Sequence, residues 1–338
     1  MKSKKKFALF LVLLVSAIFL AAYKIFGPAT SVPDEKYFFI KTGSSYQQVK
    51  TSLLTKKIIS SDFIFNILSK WTNYTNQVKP GRYEIKEGTS IFNLIRILKN
   101  GKQLPVRLVI NKIRTKEDIA AFIGKRFECD SASVINFFNN NDSLKQFNLD
   151  TNTVVSAIIP NTYIYNWNVD FPKLFRRLFA EHNKFWNDKR QNEAAVIGLN
   201  PAQVYILASI VEEETIKEED KPLIASVYLN RIKKGMKLAA DPTVKFALRN
   251  FALKRVYEKH LAFDSPYNTY KYKGLPPGPI CTPSITTIEA CLQPAKTNYL
   301  YFVASATRPG YHDFSDTYKK HLKLANEYQK KLDSLNIH

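Results

Sequence analysis

The residues with the most chemical potential in this sequence are three consecutive carboxylates, Glu212, Glu213 and Glu214. They follow directly on the apolar run Tyr205-Ile206-Leu207-Ala208-Ser209-Ile210-Val211. Asn200 suits a helix N-cap and Pro201 a first turn, where a missing N–H loses no hydrogen bond, so the spacing predicts a helix that starts there and ends in the carboxylates. At about 100° per residue Glu212 falls on the side of Ala208, Tyr205 and Val204 and continues the apolar stripe, whereas Glu213 and Glu214 rotate progressively away. A carboxyl on a buried helix face beside like charges is disfavoured as the anion, which favours the protonated form a general acid needs. Glu212 is therefore the first catalytic candidate. The competing reading is a solvated helix end that continues into Lys217, Glu218, Glu219 and Asp220, since carboxylates in such settings mark sites only statistically.

The elements that must position these groups read as a mixed α+β fold behind an N-terminal transmembrane helix. Lys2, Lys4, Lys5 and Lys6 precede an uncharged, almost wholly apolar run, Phe7 to Tyr23. That run is at the short end of what spans a bilayer and longer than a typical signal-peptide core. Leu20 stands three residues before the best cleavage point, after Ala22, so an uncleaved anchor is expected. The basic flank places residues 1–6 in the cytoplasm, the span at 7–23 and a linker at 24–35, with the rest outside. Residues 36–103 form a small α+β module. Lys36–Lys41 is strand-like, a helix follows Gly43-Ser44-Ser45 through Val49, Leu53, Leu54 and Ile58, and another covers Phe63–Trp71. Arg82–Ile85 alternates like a strand, and a third helix ends near Asn100-Gly101. The module resembles the LysM-like subdomain of cell-wall enzymes. Residues 104–338 form a larger mixed α+β domain. Leu104–Ile110 is a strand and Thr115–Phe127 a helix. Asp220–Lys234 is a helix closed by Gly235, and rigid loops are expected at Ala240–Val244, Ser265–Tyr270 and Gly274–Ile280.

Composition narrows the partners. Lys and Arg number 50 against 29 Asp and Glu, a formal charge of +21 with a pI near 9.7. Such a balance favours an anionic membrane face or cell-wall polymer. The lysines are scattered and no helix-turn-helix, zinc-finger or RNP-type signature is present, so nucleic acid is not an expected partner. Cys129, Cys281 and Cys291 make no CxxC pair, and the five histidines have no metal-ligand spacing, so no metal site and no disulfide framework are expected.

Several ordered stretches together resemble the membrane-bound endolytic murein transglycosylases, the YceG-like family. They are LASIVEEET (207–215), ASVYLNR (225–231), ADPTV (240–244), SPYNTY (265–270), GLPPGPI (274–280), PAKTNYLYFVA (294–304) and HDF (312–314). The match is thin between about residues 125 and 200. The sequence departs from the family's usual pattern at Asn161, where an Asp is common before Thr162-Tyr163, and at Leu322, after His321. The resemblance implies that Glu212 is the catalytic acid/base, that Glu214 is a substrate contact or a partner in tuning the acid, and that Thr243, Tyr267, Asn268 and Gln293 are candidate sugar contacts. It implies cleavage of the MurNAc–GlcNAc β-1,4 bond of nascent glycan strands without water, giving 1,6-anhydro-MurNAc ends and terminating or trimming strands. Hydrolysing glycosidases usually need two carboxylates; here one would act twice, and the implied mechanism requires no cofactor. Peptidoglycan strands are the implied substrate, and cell-wall synthases are candidate partners.

Two other readings use the same features. A non-catalytic, membrane-tethered peptidoglycan-binding protein would share the anchor and the charge but would not need Glu212 to exchange protons. A pyridoxal-phosphate lyase would need a Schiff-base lysine in a cytoplasmic protein, against the anchor's topology. That topology places the catalytic domain on the outer, periplasmic side of the cytoplasmic (inner) membrane. Protease added to spheroplasts should therefore degrade the Tyr205–Phe302 region. Protection in intact spheroplasts, with cleavage only after lysis, would reverse the orientation.

Overall fold

The structure, a computed structural model, describes residues 2–334. In chain order the elements are α1 (Lys2–Phe26), β1 (Tyr37–Ile40), α2 (Tyr46–Thr55), α3 (Phe63–Trp71), β2 (Gly81–Glu84), α4 (Ile91–Asn100), β3 (Val106–Val109) and α5 (Lys116–Gly124). There follow α6 (Ser131–Phe138), α7 (Asn141–Lys145), β4 (Thr162–Tyr165), α8 (Phe171–Phe185), α9 (Asp188–Val196), α10 (Pro201–Glu214), α11 (Lys221–Lys233) and α12 (Asp241–Ala247). The last are α13 (Glu258–Leu261), α14 (Ile285–Leu292), β5 (Tyr301–Ala304), β6 (His312–Ser315) and α15 (Tyr318–Ser334). The fold is mixed α+β, with many helices around short strand pairs.

The chain divides into two compact units. One is the chain up to Leu108 with Arg126–Cys129 and Ile164–Asp170; the other is Val109–Lys125, Asp130–Tyr163 and everything from Phe171 onward. In the first unit α1 contains a span long and apolar enough to cross a membrane, Lys4–Phe26, 23 residues whose most apolar 18-residue stretch has a mean hydropathy of 2.5. The helix extends beyond the expected 7–23 because backbone hydrogen bonding continues through its flanking residues. β1 and β2 pair antiparallel, Tyr37 opposite Glu84 and Ile40 opposite Gly81. Phe38, Ile40, Leu53, Phe65, Tyr74, Tyr83, Leu94 and Leu98 form the core beneath them. Ser45 caps α2 with a capping box to Gln48, and Ser90 caps α4, which Gly101 ends in the left-handed conformation. α2 stops before Ile58, which is nevertheless buried, because Lys57 turns the chain at φ 54°.

The second unit is built around α10. Asn200 Oδ1 accepts from Gln203 N at 2.9 Å while Gln203 Oε1 accepts from Asn200 N at 2.9 Å, and Pro201 occupies the first turn. From Val204 to Val211 every residue is buried. A helix apolar on all sides belongs in the middle of a domain, and Ile224, Tyr228, Leu238, Ile288 and Leu292 pack around it. The two hydroxyls in the run are both satisfied: Tyr205 donates to Ile158 O at 2.6 Å, and Ser209 donates to Ile206 O at 2.7 Å and accepts from Ile280 N at 3.0 Å. This bond fixes the end of the Gly274–Ile280 loop on the helix. Gly278 within that loop admits no side chain, since a Cβ there would collide with the Asn152 carbonyl. Two residues on from Ile280, Thr282 accepts from Ile113 N at 2.9 Å and donates to Asn111 O at 2.7 Å, bringing residues 111–114 to the same place.

α11 carries the C-terminal strands. Asn230 Nδ2 donates to Thr297 O and Tyr299 O, and Arg231 Nε donates to Leu300 O at 2.7 Å. β5 and β6 then pair antiparallel, Tyr301 opposite Ser315 and Ala304 opposite His312. One expected loop is helical: Ala240–Val244 opens α12, with Pro242 in its first turn, a position where proline's fixed φ favours a helix start. Removing the Ser209 hydroxyl leaves the Ile280 N–H buried without an acceptor, which costs about 1–3 kcal/mol. Ser209→Ala should lower the unfolding free energy by that amount in denaturant titration, and an unchanged midpoint would show that the loop is held elsewhere.

Candidate functional site

Because α10 is buried all round, helical phase alone does not separate its three terminal carboxylates. Their neighbours do. All three residues are part-exposed, and each side chain meets a different element.

Glu212 points to the start of α14. Its Oε2 accepts from Ser284 Oγ at 2.8 Å and Ser284 N at 3.2 Å, and makes a short bond from Thr287 Oγ1. Ser284 is the N-cap of α14 and also accepts from Thr287 N. The carboxyl thus lies at a helix N-terminus, where the dipole favours negative charge. Lys221 Nζ stands 3.8 Å from the same oxygen and 2.6 Å from Glu218, with a side chain only 4% exposed. The surroundings of Glu212 are thus hydroxyls, an amide and a buried ammonium, in place of the apolar face its helical phase predicts. The difference arises because α14 arrives from a distant part of the sequence and the turn after α10 folds Lys221 back onto the same carboxyl.

Glu213 is held by the Arg114 fork, Nε to Oε1 at 3.1 Å and Nη2 to Oε2 at 3.0 Å, with Lys112 at 3.3 Å. Such bidentate geometry is the strong form of this pair. Glu214 turns toward α11, where Tyr228 donates its hydroxyl to Oε1 at 2.5 Å. Burial of the Glu214 carboxyl pushes its pKa up from 4.5 to about 7 against the opposing Tyr228 bond, with the Asp241 charge adding to the rise and Lys245 and Arg231 reducing it. Asp241 in turn accepts from the Tyr270 hydroxyl at 2.6 Å. So the carboxyl that the fold desolvates is Glu214, which the sequence places away from the apolar stripe.

The other candidates separate into groups. Thr243 and Asn268 are fully buried. Thr243 Oγ1 donates to Ala240 O at 2.7 Å and bonds Thr269 Oγ1 at 2.8 Å. Asn268 Nδ2 donates to Leu261 O and Phe263 O, and its Oδ1 accepts from Tyr270 N. Both side chains hold loop shape. Tyr267 is half-buried with its ring 4.8 Å from Phe246, and burial raises its hydroxyl to about 12. Gln293 closes the opposite end of α14 from Ser284, donates to Glu193 at 3.1 Å, and lines a cavity of about 450 Å³ with Val196, Asn230 and Lys296. An eight-residue helix is about 12 Å long, so Gln293 is not brought to Glu212. Asn161 is exposed, and its Oδ1 accepts from the next amide. Leu322 is exposed on α15.

Sequence reasoning did not find Ser284, Thr287, Lys221, Arg114, Lys112 or Tyr228. Ser284 and Thr287 at N-cap spacing signal a helix start, and nothing local says whose carboxylate lies there. His312 contributes indirectly: its N and Nδ1 both meet Asp220 Oδ2, at 2.8 and 2.9 Å, and so fix the start of α11 beside Lys221. Among the described residues no three His, Cys, Asp or Glu side chains are grouped to hold a metal ion.

Comparison with known proteins places the chain in a known class. It belongs to the YceG-like family, whose model matches residues 38–327. The chain is 29% identical over 309 residues to a Bacillus subtilis (strain 168) protein named endolytic murein transglycosylase, a match covering 86% of this chain and 83% of that one. It is 27% identical over 303 residues to Streptococcus pneumoniae proteins of the same name, covering 79% of this chain and 54% of theirs, so it spans about half their length. A crystal structure of a yceG-like protein from Listeria monocytogenes matches with a TM-score of 0.58 at 29% identity, covering 86% of this chain and 99% of that one.

The raised Glu214 value has a sign that can be tested. The folded state holds a proton that the unfolded chain releases at its ordinary 4.5, so this group's stabilisation is full below about pH 4.5 and is lost as pH rises to about 7. Glu214→Gln should therefore gain stability relative to the parent protein across that window, with a slope of at most about 1.4 kcal/mol per pH unit. Parallel stability curves would show that Glu214 titrates as an ordinary carboxylate.

Proposed function

We infer that this chain is an endolytic murein transglycosylase: it cleaves the MurNAc–GlcNAc β-1,4 bond of nascent peptidoglycan strands without water, leaving 1,6-anhydro-MurNAc ends that terminate or trim the strand. The observation that carries this reading is the match to a named murein transglycosylase, 29% identical over 309 residues that cover 86% of this chain.

Glu212 is the proposed acid/base. Ser284, Thr287 and the α14 amide all bond its Oε2, which leaves Oε1 to meet the substrate. As the acid, Glu212 gives its proton to the glycosidic oxygen leaving with GlcNAc, while positive charge develops at C1 of MurNAc. As the base, the resulting carboxylate takes the proton of the C6 hydroxyl, whose oxygen closes onto C1. One proton is given and one recovered, so the cycle needs no water. The fixed donors on Oε2 and the Lys221 ammonium at 3.8 Å support the carboxylate between the half-steps. Glu214 and Tyr267 are proposed substrate contacts, and Thr243 and Asn268 are proposed to hold the loops that carry such contacts. Gln293 stands at the separate cavity beyond α14 and is proposed to meet a more distant part of the glycan.

The anchor reading puts α1 in the cytoplasmic (inner) membrane, the N-terminus inside and the catalytic domain outside, where the strands and the cell-wall synthases proposed as partners lie. The strand–helix–helix–strand order of β1, α2, α3 and β2 supports a LysM-like role for residues 36–103.

Glu212→Gln keeps the shape and cannot transfer a proton. General acid–base catalysis contributes about 10²- to 10⁴-fold, and use in both half-steps puts the expected loss at the upper end, with folding and glycan binding retained. Mass spectrometry of peptidoglycan digests should show anhydro-muropeptides with the parent protein and almost none with this variant. Loss with Glu214→Gln but not with Glu212→Gln would move the role to Glu214; activity in both variants would remove it from this helix.

A further inference from the structure

α3 buries Phe65, Leu68 and Ser69 in the first unit's core and leaves a second apolar stripe on its other side. Phe63, Ile67 and Trp71 recur every four residues and are 67%, 51% and 77% exposed. Single exposed apolar side chains are ordinary, whereas three aligned on one face form a contiguous patch that calls for a covering surface.

The position of α3 says what that surface is. Tyr23 and Lys24, near the end of α1, line one cavity of about 390 Å³ with Ser60, Ser61, Phe63 and Ile64, at the start of α3. Beside it the ring of Phe26, the last residue of α1, packs on Phe92 of α4 at 5.3 Å. The exposed stripe therefore begins where the apolar span ends. At about 13 Å, nine residues of helix are too short to cross a bilayer, so α3 can only lie along its surface. Trp71 is the residue type favoured at headgroup level. Exposed Lys70, adjacent to it, can lay its stem along the stripe and reach lipid phosphates with its ammonium.

We propose that α3 is an interfacial helix whose Phe63, Ile67 and Trp71 side chains insert into the bilayer leaflet at which α1 ends, so that the first unit rests on the membrane instead of swinging from its anchor. This rests on the reading of α1 as a membrane anchor, and it holds for either orientation of that anchor.

The test uses the full chain in phosphatidylglycerol-containing vesicles, with and without lipids brominated high on the acyl chains. Flotation establishes anchoring first. Brominated lipid should then quench part of the tryptophan emission of the parent protein, and Trp71→Phe should abolish that component, leaving Trp167 and Trp186 unquenched. Protein that floats but shows the same quenching with and without Trp71, or none, overturns the proposal while leaving the anchor intact. Protein that fails to float removes the anchor and this surface together. Floating protein without Trp71 quenching that forms a dimer dissolved by Ile67→Glu would give the stripe to a second copy, again overturning the proposal.

Discussion

The second unit depends on one constraint: a helix buried on every side ends in three consecutive carboxylates, and each must find a partner where it leaves the core. Successive residues on a helix diverge by about 100°, so no single neighbour can serve them all. Charges taken from water without partners are costly. Three separate segments are therefore brought to the end of α10: the start of α14 for Glu212, the Lys112–Arg114 segment for Glu213, and Tyr228 of α11 for Glu214. Ser209, one turn earlier, fastens the Ile280 amide, and Thr282 ties residues 111–113 to that same strand of loop. Much of the unit's long-range connectivity converges on this helix end.

Identical side chains acquire different properties there. Glu213 is neutralised by a fork and an ammonium and serves as a tether. Glu214 meets one hydroxyl, and burial of its carboxyl raises its pKa. Glu212 has one oxygen fixed by two hydroxyls and an amide, which orients the carboxyl and leaves the other oxygen unbonded by those donors. Three consecutive glutamates thus meet three different environments, each set by a different element. A buried lysine, itself positioned beside the Asp220–His312 pair, completes the surroundings of Glu212.

The first unit carries a helix long and apolar enough to cross a bilayer, and a formal charge of +21 favours anionic surfaces. An enzyme acting on a polymer made at a membrane works where that polymer emerges, and an anchor raises its effective concentration there.

Local signals carried much of the architecture. Caps at Ser45, Ser90, Thr115 and Asn200, and glycine stops at Gly101 and Gly235, lie within the reach of a few residues, and the helices start or end at them. The apolar span was equally legible, because crossing a bilayer is a matter of length and composition. The end of α2 before Ile58 was not, since Lys57 gives no glycine signal for its positive φ, and Ala240–Val244 read as a loop because proline marks helix starts and turns alike. At the candidate site the sequence by itself determined that carboxylates would end a buried helix, and its motifs singled out Glu212. Which carboxyl is desolvated, which is ion-paired and which is bonded by hydroxyls was decided only by tertiary structure. Their hydrogen-bond partners Tyr228, Ser284 and Arg114 lie 14, 72 and 99 residues away in the chain, and helical periodicity describes a residue's direction from its own axis without saying what the rest of the chain puts there.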